Sequence, residues 1–151
     1  MKNRKGITGI LYFRNPNVRI YKKNHMLTQE ILDELVSYLK RDKYKNKIHD
    51  LQLDHCTDEQ GDYIHLIIIR IKKSQMNCGY GSAIMSEIVQ VADDHNVRIK
   101  LWASNIYRSD LKRLYGFYGK HGFILDTTEK DGNMTYFPSK IYKRKRKYLD
   151  N

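Results

Sequence analysis

The stretch from 63 to 94, which reads YIHLIIIRIKKSQMNCGYGSAIMSEIVQVADD, constrains the fold more than any other part of the chain. It begins with an isoleucine-rich run, which predicts a buried strand. A glycine turn, CGYGS at 78–82, follows and precedes about three turns of helix. The start of a helix leaves backbone N–H groups unpaired and carries the positive end of the macrodipole. The stretch therefore predicts a strand, a turn and a helix that together form an anion site.

The length and charge of the chain limit the classes of protein it can be. Its 151 residues fit one domain with a single core. The net charge of +11 favours acidic partners, nucleic acid or a polyanionic cofactor. Because basic residues concentrate in KIYKRKRK at 140–147, we divide the chain into a folded domain, 1–139, and a basic tail, 140–151. The tail is either solvated or contacts nucleic acid or an acidic protein.

The cysteines and the hydropathy indicate a protein of a reducing interior. Cys56 and Cys78 are too few for a disulfide framework, and neither has the spacing of a zinc ligand. The chain has no apolar run of about 18 residues, and its N-terminus lacks a signal-peptide pattern. We therefore expect no metal, no membrane and a cytoplasmic location.

The predicted elements alternate between strands and helices. The first half predicts strands at 6–14 and 17–21, a helix capped by Thr28, a strand at 47–56, a turn at 57–62 and an antiparallel strand at 63–71. After the helix that follows the glycine turn, we expect a strand at 97–104, parallel to 63–71, and a helix that begins after Ser109 or Asp110. A hairpin of 123–125 and 134–137 around a turn at 130–133 ends the domain. This order predicts a single α/β domain with a mixed central sheet of six to seven strands and about three helices.

The glycine turn alone is a weak signal. It is not a dinucleotide fingerprint, because Ile84 stands at the third glycine position, and no Gly-Lys-Ser/Thr follows to make a P-loop. Combined with YGKHGF at 118–123, however, the turn resembles the GNAT superfamily of acetyl-CoA-dependent N-acetyltransferases. In that family the loop reads Arg/Gln-x-x-Gly-x-Gly/Ala, and a later signature reads Tyr-x-x-x-Gly-Phe. The resemblance covers about half of the chain, and Met76 departs from it where Arg or Gln is usual.

The resemblance implies a site for acetyl-CoA. The end of the isoleucine-rich strand would pair with the pantetheine arm, and its backbone N–H groups would polarise the thioester carbonyl. The loop would hold the pyrophosphate, and Ser104 and Asn105 would close the neighbouring strand. The implied coenzyme-binding residues are Ile69, Arg70, Ile71, Met76, Asn77, Cys78, Gly79, Tyr80, Gly81, Ser82 and Asn105.

Two side chains are candidates for proton transfer. The resemblance implies that Tyr118 protonates the leaving thiolate, although its register with Leu111, Leu114 and Tyr115 also fits a core aromatic. Tyr115 is the alternative acid, although it fits a core position better. His65 stands where some family members carry a catalytic carboxylate, and histidine can accept an amine proton. Strand alternation would place His65 with Ile67, Ile69 and Ile71, so a buried structural histidine remains open, as does a water chain. Weaker alternatives for the base are Asp54, His55, Glu59 and Asp62.

The expected activity is transfer of an acetyl group from acetyl-CoA to a primary amine by direct attack. A protein lysine or α-amine is the preferred acceptor, a nucleobase amine comes next, and a small-molecule amine also stays open. The charge of the chain favours an acidic macromolecule over a cationic one. A nucleic-acid-binding or non-catalytic interaction module on the same scaffold is the alternative function. The chain is either a monomer or a homodimer.

Overall fold

The computed structural model describes residues 26–103, 110–126 and 133–138. Within them the chain forms an α/β fold with three α-helices and a mixed sheet of five strands. The elements are α1 (Gln29–Ser37), β1 (Ile48–Asp58), β2 (Gly61–Ile71), α2 (Tyr80–His95), β3 (Arg98–Trp102), α3 (Leu111–Lys120), β4 (Ile124–Leu125) and β5 (Asn133–Tyr136). A π-helical segment, Tyr38–Lys43, continues α1, and a 3₁₀ turn, Lys73–Gln75, follows β2.

The strands lie in the order β1-β2-β3-β5-β4. The predicted antiparallel pairing of β1 with β2 and the parallel pairing of β2 with β3 across a helix are both confirmed. Five strands are fewer than the six to seven predicted. The predicted strands at 6–14 and 17–21, most of the turn at 130–133 and the tail at 140–151 lie outside the described residues.

Helix α1 begins where the sequence predicts. The Thr28 side chain accepts a hydrogen bond of 3.2 Å from the Ile31 N–H, the usual interaction of an N-cap threonine. Leu32 and Leu35 are fully buried beneath the helix. The amide of Gln29 joins α1 to β1, because it donates to the Leu53 carbonyl at 3.0 Å and accepts from the His55 N–H.

The sheet has one apolar face and one polar face. Directly paired residues share a face, and the pairs Leu53–Leu66, Ile64–Ile99 and Leu101–Met134 are all buried. These side chains form one core with α1 and α2, and each contributes about 1.5–3 kcal/mol by leaving water. The opposite face carries polar side chains along the paired part of β1, β2 and β3: Asp54, Asp58, Tyr63, His65, Arg98 and Lys100.

A β-bulge at Ile67 inverts the alternation of β2. Gln52 opposes Ile68 and Leu53 opposes Leu66, so Ile67 is an extra residue in the ladder. Ile64 and Leu66 face the core before the bulge, whereas Ile69 and Ile71 pack against it afterwards. The prediction that His65 shares a face with Ile69 and Ile71 is therefore wrong.

The turn between β1 and β2 is shorter than predicted. The strands extend to Asp58 and from Gly61, which leaves Glu59 and Gln60 between them. Gly61 has a φ of 108°, a left-handed conformation that suits glycine. In the part of the chain that the structure describes, no helix has both the length and the apolar character to cross a membrane.

Candidate functional site

Strand β2 extends beyond its pairing with β3. They pair from Tyr63 to Leu66 on β2 and from Arg98 to Leu101 on β3, but β2 continues to Ile71. Among the described residues, the β3-facing edge of 67–71 therefore has no strand partner. The bulge at Ile67 lies where the pairing stops. This unpaired edge offers backbone N–H and C=O groups to an extended ligand.

The three residues expected to use this edge point in different directions. Ile69 and Ile71 pack against the core. Arg70 faces the other way and forms an ion pair with Asp50 at 3.0 Å, with His49 beside it at 2.9 Å. Their contribution at the edge would come from the backbone, because the side chains have other contacts.

The glycine turn leads into α2 as predicted. Gly79 is the N-cap residue with a φ of 84°, and it provides no side-chain cap. The first helical bond runs from the Ala83 N–H to the Gly79 carbonyl at 3.1 Å. The N–H groups of 80–82 therefore lie outside the helix's own hydrogen-bond ladder, which makes them available to an anion.

The rest of the predicted loop surrounds this helix start. Asn77 also has a left-handed backbone, with a φ of 62°. Met76 is exposed, and the exposed Cys78 donates its thiol to the Met76 carbonyl at 3.5 Å. The loop is thus a turn with two left-handed residues, open to solvent on one side.

Helix α3 lies along the glycine turn through one face. Arg113 donates to Asn77 Oδ1 at 3.2 Å, and His121 Nε2 lies 3.3 Å from Ser82 Oγ. Between them, the Phe117 ring lies 3.6 Å from the place where a Cβ on Gly81 would stand. None of these three α3 residues was predicted as a site residue, although their spacing of i, i+4 and i+8 is that of one helix face. The two motifs that carry the resemblance are therefore neighbours in space.

Tyr118 lies beside this contact and is mostly buried. Its ring packs edge-on against Phe117 and Phe123, with centroids 5.3 and 5.6 Å away. Burial raises the pKa of the Tyr118 hydroxyl, so it holds its proton at neutral pH. In the described ranges, only His55 Nε2 is sealed from solvent without a hydrogen bond. The Tyr118 hydroxyl, which forms no hydrogen bond to a described residue, therefore retains contact with solvent.

His121 has a less basic ring than a free histidine. Burial lowers the pKa of His121, and the nearby positive charge of Lys120 lowers it further. At neutral pH its ring is therefore uncharged and can share a hydrogen bond with Ser82 in either direction.

His65 lies on the polar face, half-buried, level with Lys100 on β3 and Asp54 on β1. Tyr118 instead belongs to the apolar core. The sheet therefore separates the two candidate proton-transfer residues, and the structure does not bring them into contact. The other candidates for the base are scattered. His55 Nε2 lies 3.2 Å from Asp62 Oδ1, within ion-pair distance but without the geometry of a hydrogen bond, and Glu59 is exposed in the turn.

The polar face is organised by an ion-pair cluster that the sequence analysis did not predict. Arg98 is only 5% exposed and holds Asp58 with both guanidinium nitrogens, one at 3.0 Å. Lys100 reaches the same carboxylate at 2.8 Å. The hydrogen bond from Arg98, and to a smaller extent that from Lys100, holds the pKa of Asp58 well below its usual range. Both cations also lie over the Tyr63 ring, at 5.4 and 4.7 Å from its centroid.

Ser104 and Asn105, expected to close the neighbouring strand, lie outside the described residues. Within the described ranges, no group of three or more His, Cys, Asp or Glu residues is placed to hold a metal ion. Comparisons of the chain with protein-family models, with curated proteins and with solved structures found no match.

Proposed function

We propose that this chain is an N-acetyltransferase that moves an acetyl group from acetyl-CoA to a primary amine. The observation that carries the proposal is the continuity of two ligand-binding features on one segment. The β3-facing edge of 67–71, which has no strand partner among the described residues, leads through the 3₁₀ turn Lys73–Gln75 into the glycine turn at the start of α2. An extended ligand with an anionic end, such as the pantetheine and pyrophosphate of a coenzyme A thioester, matches this arrangement.

The chemistry needs few side chains. A neutral amine attacks the thioester carbonyl, and a backbone N–H near Ile69 stabilises the oxyanion. The C–N bond forms and the C–S bond breaks when the intermediate collapses. Tyr118 gives its proton to the departing thiolate, and the amine loses a proton to water or, through water, to His65 on the other face of the sheet. The placement of Tyr118 next to the glycine turn supports this role for it.

The proposed acceptor is a protein lysine or α-amine, with a nucleobase amine as the second choice. The net charge of +11 supports an acidic macromolecule, because like charge would repel a polycation. A nucleic-acid-binding or non-catalytic module remains the alternative, and its basic segment at 140–147 lies outside the described residues.

Calorimetric titration with acetyl-CoA and with CoA tests the proposal. We expect saturable binding of both ligands in the micromolar range and transfer of one acetyl mass to an acceptor, observed by intact-mass analysis of incubated proteins and nucleosides. Absence of binding at millimolar ligand would contradict the proposal. Binding without transfer to any acceptor class would favour the non-catalytic alternative.

A further inference from the structure

The loop expected to hold the pyrophosphate, 76–82, has no positively charged side chain at its first position. Met76 stands there with a side chain 48% exposed, where the resemblance leads us to expect arginine or glutamine. The N-terminus of a helix provides only about half an elementary charge, whereas a pyrophosphate diester carries more than one full negative charge. A cation placed near this loop would therefore strengthen the binding of a pyrophosphate there.

Helix α3 places a cation next to the loop. Arg113 donates one hydrogen bond to Asn77, two residues before the N-cap glycine, at 3.2 Å. A guanidinium has five N–H donors in a planar fork, so most of them remain for an anion.

Among the described residues, no ion pair compensates the charge of Arg113. Arg70 and Arg98 each form an ion pair with a carboxylate, at Asp50 and Asp58. In the described part of the chain, no carboxylate forms an ion pair with Arg113. The nearest acidic residue along α3, Asp110, accepts a hydrogen bond from the Lys112 N–H as the helix cap.

We propose that Arg113 binds the phosphate groups of the coenzyme and supplies from α3 the positive charge that is missing at Met76. This inference rests on the proposed function. Asn77 orients the guanidinium towards the loop, and Phe117 fixes the distance between α3 and the turn by packing on Gly81. Arg113 is thus a coenzyme-binding residue contributed by α3 and not by the loop.

Calorimetry with two ligands tests the role of Arg113. Arg113→Gln should weaken CoA binding roughly ten- to a hundredfold, the usual effect of losing a charge-assisted hydrogen bond. It should leave the affinity for pantetheine, which has no phosphate, unchanged. Lys112→Gln is the matched control, because it removes the same charge from the adjacent, exposed residue of α3, and should change CoA affinity less than twofold. Arginine at the loop position, Met76→Arg, should restore most of the affinity of Arg113→Gln.

Four other outcomes of these titrations would overturn the role of Arg113. If the wild-type chain does not bind CoA, the proposed function fails and this inference fails with it. If the wild-type chain binds but Arg113→Gln has no effect, or acts no more strongly than Lys112→Gln, the inference alone is overturned. Equal weakening of CoA and pantetheine would show that Arg113 supports the loop and not the phosphate. If Met76→Arg does not restore the affinity of Arg113→Gln for CoA, the idea that Arg113 supplies the charge absent at position 76 is contradicted.

Discussion

The two glycines of the turn have different physical roles, although the sequence presents them as one motif. Gly79 has a φ of 84°, where a Cβ is strained by about 1–2 kcal/mol. Gly81 has an ordinary backbone, and a Cβ there would meet the Phe117 ring at normal contact distance. We therefore expect Gly79→Ala to lower the free energy of unfolding by about 1 kcal/mol or more.

Gly81→Ala is the matched control for that substitution. It lies in the first turn of α2, where alanine is the better helix former, so its free energy of unfolding should stay within about 0.5 kcal/mol of wild type or rise. Urea denaturation of the two variants measures the difference. Equal destabilisation by both substitutions would contradict the assignment of strain to Gly79.

The ring of Tyr118 has a structural role, and its hydroxyl has the proposed chemical role, so a substitution that removes only the hydroxyl tests the second role alone. Its ring packs against Phe117 and Phe123, contacts that phenylalanine would retain. Tyr118→Phe should therefore lower kcat by about 10²- to 10⁴-fold, the usual contribution of a general acid, while CoA affinity and the melting temperature remain close to wild type. Tyr115→Phe, which removes the hydroxyl of a half-buried tyrosine two residues from both Arg113 and Phe117, is the control. Unchanged turnover of Tyr118→Phe would remove Tyr118 from the mechanism.

At the level of elements, the ion pairs of Asp58 connect the β1–β2 turn to β3 and link stability to pH. Because Arg98 and Lys100 lower the pKa of Asp58 in the folded state, the carboxylate stabilises the fold above its ordinary pKa of 3.8. That contribution is lost progressively as the pH falls below about 4, where the unfolded chain binds the proton first.

Asp58→Asn tests this connection. The variant should be less stable than wild type at pH 7, and the difference should shrink as the pH is lowered from about 4. Chemical denaturation at a series of pH values measures it. Glu59→Gln, one residue away and exposed, should follow the wild-type curve. A constant difference between Asp58→Asn and wild type at every pH would contradict the role of the carboxylate charge.

The order and pairing of the described elements were largely predictable because they depend on local signals. Thr28 caps α1, and the length of the crossover predicted the parallel β2–β3 pair. The face of His65 was not predictable, because alternation assumes a strict two-residue period and nothing in a run of isoleucines marks the extra residue at Ile67. Arg98 alternates with the apolar Val97 and Ile99 in the sequence, but its partner Asp58 lies forty residues earlier, and only the sheet register brings them together.

The candidate site was predictable in part for the same reason. The strand, turn and helix at 63–94 are contiguous in sequence, so their local signals located the turn and the helix start. The contribution of α3 is a tertiary contact. Its face of Arg113, Phe117 and His121 looks like any exposed stripe until the fold places it along the turn.

At the level of the whole molecule, the proposed coenzyme would contact the edge of β2 beyond Leu66, the glycine turn and α3 at the same time. β2 and β3 pair only as far as Leu66 and Leu101, and the edge beyond Leu66 has no strand partner among the described residues. A ligand seated between that edge, the glycine turn and α3 binds the folded chain and not the unfolded one. It therefore stabilises the fold by RT ln(1 + [L]/Kd).

Acetyl-CoA at a hundred times its Kd should thus add about 2.7 kcal/mol to the free energy of unfolding. For a chain of this size, that corresponds to a rise in Tm of roughly 5–10 °C in a thermal melt. Tyr118→Phe should show the same rise, because its change affects chemistry and not binding, whereas Arg113→Gln should show a smaller one at the same ligand concentration. A Tm that does not respond to acetyl-CoA, in a chain that melts cooperatively, would mean that the unpaired edge and the glycine turn do not form a coenzyme site.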